Sequence, residues 1–114
     1  GMAPLVSHLY NLGLIEAEAY RQIECFTEAL RFARAEGIIP APEATHAIRG
    51  VVAEVQRAKE EGKRKTILFN LCGHGNFDMA AYDSFLKGQM VDHELPQADL
   101  DRAAADLEGM PALA

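Results

Sequence analysis

The stretch Thr66-Ile-Leu-Phe-Asn-Leu-Cys-Gly-His-Gly-Asn76 decides the fold class of this chain. Residues 66–71 are a nearly continuous apolar run, which is typical of a parallel strand covered on both faces. The glycines after it predict a tight turn, and Asn76 is a suitable N-cap for a helix that ends at Gly88. This strand, turn and helix predict an α/β fold with one clear parallel-type strand.

Three further helices are expected around the strand. Residues 16–36 carry apolar side chains at spacings of three and four, and Gly37 follows where a left-handed C-cap is expected. Residues 42–62 carry a second apolar stripe. A short peripheral helix is expected at residues 96–109 of the acidic tail. The fold should therefore contain about four helices.

At 114 residues the chain has room for a single domain. We divide it into a lead-in over residues 1–13, a helix and strand core over residues 14–88, and an acidic tail over residues 89–114. A buried strand needs neighbours for its backbone groups, yet the sequence contains no second convincing strand. We expect another copy of the chain, in a homo-oligomer, or the rest of a longer polypeptide to supply them, and we prefer the latter.

Composition excludes several classes of protein. The net charge is −6, and the 11 Lys and Arg residues are scattered among 17 acidic residues, which argues against a nucleic-acid partner. No apolar run approaches the roughly 20 residues that cross a bilayer, and no signal peptide is visible, so no membrane association is expected. Two cysteines are too few for a disulfide framework, and a reducing, cytoplasmic location is the simpler interpretation.

Cys72 is the strongest candidate for a functional side chain, because open α/β sheets bind ligands at the C-terminal ends of their strands. A buried, purely structural role is the commoner fate of a free cysteine and stays open. A thiol nucleophile would need a positioned base, and the proximity of His74 in sequence does not supply that geometry. Cys72, His74 and Asp78 lack the spacing of a structural zinc site, so we expect no metal.

Glu43 and His46 lie in the first turn of the second predicted helix. A carboxylate in that turn suits the helix dipole and is explained by capping alone. A histidine near a helix start is more often hydrogen-bonded and structural than catalytic. The roles of His46 and His74 are left unassigned.

Two stretches of the chain resemble the tryptophan synthase beta family. They are Glu-Gly-Ile-Ile-Pro-Ala-Pro-Glu-Ala-Thr-His-Ala at residues 36–47 and Ile-Leu-Phe-Asn-Leu-Cys-Gly-His-Gly-Asn-Phe-Asp at residues 67–78. The chain is most similar to the longer, second subfamily, up to about Gly88. The resemblance implies a C-terminal fragment of a fold-type II pyridoxal-phosphate enzyme, a lyase that makes L-tryptophan from L-serine and indole.

The same resemblance implies that Cys72, Glu43 and Gly73 face the cofactor. Cys72 takes the place of a family serine that hydrogen-bonds to the pyridine nitrogen, and a thiol can still offer a neutral S–H donor there. Glu43 matches a glutamate that approaches the ring. Gly73, together with Gly75, would shape the turn beneath it.

Other parts of the family's site have no counterpart in this chain. No lysine stands in the His-Lys-x-Asn context of the Schiff-base lysine, and the glycine-rich phosphate loop is absent. We therefore expect no catalytic residue in the fragment, no activity for the chain alone and no retention of pyridoxal phosphate by it. The alternative is a non-catalytic module that self-associates or binds a partner.

Overall fold

The computed structural model describes residues 3–105, which form five α-helices. The helices are α1 Pro4–Asn11, α2 Gln22–Glu36, α3 Pro42–Glu60, α4 Met79–Leu86 and α5 Gln97–Ala105. None of the helices within residues 3–105 combines the length and the apolar character needed to span a membrane. The part of the tail helix predicted beyond residue 105 lies outside the described residues.

Four of the five helices lie where the sequence predicts a helix, but the predicted cap of α4 is wrong, because its N-cap is Asp78 and not Asn76. α1 lies in the predicted lead-in, where Pro4 occupies the start of the helix and needs no backbone donor there. α2 begins six residues later than residue 16, because the Arg21 N–H donates to Glu24 Oε1 at 2.8 Å in a capping box. Its predicted C-cap is confirmed, since Gly37 is left-handed with φ 70°. The number of helices is thus five instead of about four.

The predicted strand is not formed within residues 3–105. Residues 66–72 run as unpaired chain, and exposure alternates along them: Ile67 and Phe69 are half-buried, while Leu68 is 97% exposed. The prediction that both faces of this segment are buried is therefore wrong within residues 3–105. The physical reason is that no other strand lies in this part of the chain to pair with their backbone groups.

The core lies where α2 packs along α3 and where α4 closes one end of that pair. Phe26 of α2 contacts Tyr82 of α4 edge to face, with ring centroids 4.9 Å apart, and stacks on Phe85 at 5.6 Å. Aromatic pairs of this kind contribute beyond their buried area. The buried apolar side chains of the described residues are Cys25, Phe26, Ala29, Ala44, Ile48, Ala58 and Tyr82.

Candidate functional site

Residues 39–41 and residues 73–75 meet in a short antiparallel contact, which joins the two stretches singled out by the sequence. The contact consists of the bridge between Pro40 and His74, an Ala41 N–H donated to the Gly73 carbonyl at 2.9 Å, and a Gly75 N–H donated to the Ile39 carbonyl at 2.8 Å. We call these interactions the Pro40–His74 contact. It fixes the glycine turn against the segment that leads into α3.

The contact brings the two cofactor-facing candidates to one region of the chain. Cys72 directly precedes Gly73, whose carbonyl accepts the Ala41 N–H, and Glu43 lies in the first turn of α3, two residues after Ala41. Both Cys72 and Glu43 are exposed to solvent. Two residues that are 29 positions apart by their numbers thus lie on adjacent segments at the N-terminal end of α3.

Close packing explains the glycines of the turn. A Cβ on Gly75 would lie 2.5 Å from the Pro40 carbonyl oxygen and 3.0 Å from Tyr82 Cε2. A Cβ on Gly73 would lie 3.1 Å from the Cβ of Ala41. The backbone clash at position 75 means that only glycine lets the turn approach residues 39–41 there, whereas a Cβ at position 73 would require Ala41 to shift by a few tenths of an ångström.

The structure gives no support to a thiol nucleophile built on Cys72 and His74. Cys72 is a free, exposed thiol, and no hydrogen bond joins it to His74 within residues 3–105. The His74 Nδ1 instead accepts the Asn76 N–H of its own turn at 3.4 Å, and the His74 ring lies 5.5 Å from the ring of Phe77. Across the described part of the chain, no three His, Cys, Asp or Glu side chains cluster as a metal site would require.

Glu43 also borders a hollow of about 330 Å³ between α2 and α3. Its lining consists of Gln22, Cys25, Phe26, Pro42, Glu43, Thr45 and His46. The hollow opens beside the N-terminal end of α3, where the helix dipole favours a carboxylate. Glu43 is therefore an exposed carboxylate at the edge of this hollow.

Sequence analysis missed the pairing of Cys25 with His46. Cys25 is 1% exposed, and its Sγ lies 3.5 Å from the Nδ1 of His46. Burial raises the pKa of the Cys25 thiol, so the group stays protonated at neutral pH and can donate S–H to the imidazole. His46 thus has a structural partner, and the position of Cys25 beside Phe26 on the apolar face of α2 was the available signal.

Three of the four lysines of the chain, Lys63, Lys65 and Lys87, form surface ion pairs. Lys87 pairs with Asp83 at 2.6 Å, one helical turn away on α4. Lys65 lies 3.4 Å from Glu61, and Lys63 lies 3.2 Å from the same carboxylate. Exposed pairs of this kind are worth little in stability, and none gives its lysine the desolvated surroundings that activate an amine.

The Pro40–His74 contact offers one exposed thiol and a turn with two glycines. Cys72 is free and exposed, and a thiol is a weak hydrogen-bond donor. Gly73 and Gly75 keep side-chain atoms away from the turn below that donor. The sequence contains no glycine-rich loop of the kind that holds a phosphate.

Comparison with curated proteins finds close relatives among proteins named tryptophan synthase beta chain. The chain is 56% identical over 92 residues to tryptophan synthase beta chain 2 of Aquifex aeolicus (strain VF5), covering 81% of this chain and 21% of the relative. It is 52% identical over 91 residues to the protein of the same name from Methanosarcina acetivorans, covering 80% and 21%. With tryptophan synthase beta chain of Thermococcus gammatolerans it shares 50% identity over 94 residues, covering 82% and 21%. No family model matches the chain.

Sequence identity of about 50% over about 80% of the chain shows that the chain and these synthases share a common ancestor. The chain belongs to the tryptophan synthase beta chain family. It spans about a fifth of the length of the curated relatives it matches. This kinship favours a part of such a protein over a non-catalytic module.

Proposed function

We propose that this chain is part of a pyridoxal-phosphate-dependent lyase of the tryptophan synthase beta type, which makes L-tryptophan from L-serine and indole. The observation that carries the proposal is the 56% identity over 81% of the chain to a protein named tryptophan synthase beta chain 2. The Pro40–His74 contact supports it, because it joins the two stretches that resemble the family. By itself the chain has no catalytic lysine and does not retain the cofactor.

In this proposal Cys72, Glu43 and Gly73 face the cofactor. Pyridoxal phosphate supplies an electron sink for the bonds around the α-carbon of the amino acid. Cys72 would hold the ring nitrogen through its thiol, a side chain that can donate a hydrogen bond without carrying an obligatory charge. Glu43, in the first turn of α3, would offer the cofactor a carboxylate, and Gly73 would let the backbone come close to it.

We further propose that residues 66–71 are a parallel strand of a sheet completed by the rest of a longer polypeptide in the cytoplasm. The support is their unpaired backbone, the alternation of exposure along them and the near-complete exposure of Leu68. An apolar, unpaired strand is unfavourable in water, because its N–H and C=O groups and its side chains lack partners. A neighbouring strand on each side would satisfy both needs.

The test uses the full-length polypeptide that carries this chain, expressed and purified with pyridoxal phosphate. We expect cofactor absorbance, tryptophan formation from serine and indole, and an upstream His-Lys-x-Asn motif in the gene. Cys72→Ser should retain activity within about threefold, because a hydroxyl is also a neutral donor. Cys72→Asp should lower kcat by about a hundredfold, because a carboxylate holds a proton on the ring nitrogen.

Cys25→Ala is the matched control, because it removes the second cysteine of the chain, which takes no part in the Pro40–His74 contact. It should alter stability and leave the cofactor absorbance unchanged. A full-length polypeptide with neither bound cofactor nor tryptophan formation refutes the proposed function. Equal activities of Cys72→Ser and Cys72→Asp refute the assignment of Cys72 to the ring nitrogen.

A further inference from the structure

Tyr82 of α4 is tied to the loop between α2 and α3 by a buried hydrogen bond. Its side chain is 3% exposed, and its hydroxyl donates to the Pro40 carbonyl oxygen at 2.6 Å. The two residues are 42 positions apart. Burial raises the pKa of Tyr82 to about 12, so the hydroxyl remains a neutral donor across the physiological pH range.

The Pro40 carbonyl lies at the centre of the Pro40–His74 contact. Pro40 itself is fully buried, and a buried carbonyl oxygen without a donor costs free energy. The Tyr82 hydroxyl supplies that donor from outside the two paired segments. It therefore stabilises the arrangement in which residues 39–41 lie against residues 73–75.

The Tyr82 ring has little freedom to leave this position. Its edge packs on Phe26 at a centroid distance of 4.9 Å. On the other side, Gly75 lies so close that a Cβ there would be 3.0 Å from Tyr82 Cε2. One side chain thus contacts α2, the Pro40 carbonyl and the glycine turn at once.

We propose that Tyr82 is a positioning residue for the reaction, whose hydroxyl holds the Pro40–His74 contact closed and so sets the separation of Cys72 from Glu43. The proposal rests on the proposed function and deepens it. Tyr82 acts through Pro40 and touches neither cofactor nor substrate. A small displacement of groups that face a reacting centre can lower the rate by one to two orders of magnitude.

The test compares Tyr82→Phe with Phe85→Leu in the full-length polypeptide. Tyr82→Phe removes only the hydroxyl, whereas Phe85→Leu disturbs the same aromatic cluster without touching Pro40. In the cofactor-free protein, the Ala41 and Gly75 amides should exchange hydrogen about fivefold faster in Tyr82→Phe, because each closes one side of the contact. Phe85→Leu should leave both exchange rates within about twofold of wild type.

In the protein with pyridoxal phosphate, Tyr82→Phe should lower kcat by about tenfold and shift the cofactor absorbance, with KM for indole nearly unchanged. Equal losses of kcat in Tyr82→Phe and Phe85→Leu would mean that Tyr82 serves only stability, and would overturn the positioning role. A Tyr82→Phe variant with the kcat, the cofactor absorbance and the amide exchange rates of wild type would also overturn the positioning role.

The failure of this inference is distinguishable from the failure of the proposed function. An active wild type with an unaffected Tyr82→Phe refutes the positioning role alone. A wild type without cofactor or tryptophan formation refutes the proposed function and the positioning role with it. In that case the exchange rates of Ala41 and Gly75 still report whether Tyr82 holds the contact.

Discussion

At the scale of single residues, the two cysteines lie in opposite environments. Cys25 is buried with a raised pKa and contacts His46, whereas Cys72 is exposed at the end of the unpaired segment 66–72. Thiol reactivity follows the exposed thiolate fraction. The sequence singled out Cys72 because of its place after an apolar run, and left Cys25 unremarked.

We expect iodoacetamide to modify Cys72 of the 114-residue chain at least about tenfold faster than Cys25 at neutral pH. Mass spectrometry of the digested chain measures the two rates separately. In the Cys72→Ala variant the fast phase should disappear. Equal rates in the wild-type chain would contradict the burial of Cys25.

Tyr82 gives a prediction about pH. Its pKa is raised from the ordinary value of 10.0 to about 12, chiefly by burial. The pKa of Tyr82 is higher in the folded state than in the unfolded state. The stability that the neutral Tyr82 hydroxyl contributes is therefore fully present below pH 10 and is lost as pH rises through about 12. An absorbance titration of phenolate in this chain of three tyrosines should include a transition near pH 12 that Tyr82→Phe removes. The hydrogen bond to Glu18 also raises the pKa of Tyr20, so Tyr20→Phe is the control and should leave the transition near pH 12 in place. A transition near pH 12 that survives in Tyr82→Phe would contradict the assignment.

At the scale of elements, two glycines of the α2 and α3 region have opposite roles. Gly37 is the left-handed C-cap of α2, with φ 70°, and its N–H donates to the Ala33 carbonyl at 2.9 Å. Gly50 lies inside α3, where an added Cβ would meet only Tyr20 Cε2, at an ordinary 3.9 Å. The backbone thus requires glycine at the first position and tolerates alanine at the second.

Gly37→Ala should lower the free energy of unfolding of the chain by about 1 kcal/mol, because alanine is strained at positive φ. Gly50→Ala should raise it by about 0.5–1 kcal/mol, because alanine restricts the unfolded helix segment and has the better helix propensity. Urea unfolding followed by circular dichroism measures both changes. The two changes in the free energy of unfolding should have opposite signs. Changes of the same sign would contradict the roles given to Gly37 and Gly50.

At the scale of the whole molecule, the chain is more open than its length requires. Its radius of gyration is 17.3 Å, whereas a compact domain of about 100 residues has about 13 Å. Leu68 and Phe77 are 97% and 92% exposed. Large apolar side chains that are almost fully exposed mark a surface that another part of a protein covers.

Leu68→Lys tests this interpretation. In the 114-residue chain the change should alter the free energy of unfolding by less than about 0.5 kcal/mol, because the side chain is exposed there. In the full-length polypeptide it should destabilise by about 2–3 kcal/mol, because an unpaired charge enters a buried strand. Leu95→Lys, in the acidic tail, is the control and should have a small effect in both. Chemical unfolding of the four variants gives the comparison.

Helices α2 and α3 were predictable because their signals are local. Apolar spacing identifies the buried face, Gly37 ends α2, and Pro42 begins α3. The motif around Cys72 was also readable, and its family resemblance agrees with relatives that are 47–56% identical. The start of α2 at Gln22 was harder to predict, because apolar residues also precede the position at which the Glu24 carboxylate caps the helix.

The sequence by itself therefore determined the positions of the main helices, the glycine turn and the family, all of which depend on residues close together along the chain. Only the tertiary structure decided that residues 39–41 pair with residues 73–75 and that Tyr82 donates to Pro40. It also decided that residues 66–71 have no strand partner within residues 3–105. The physical reason is that hydrogen bonds between distant segments depend on which surfaces pack together, and no local pattern of residues encodes that choice.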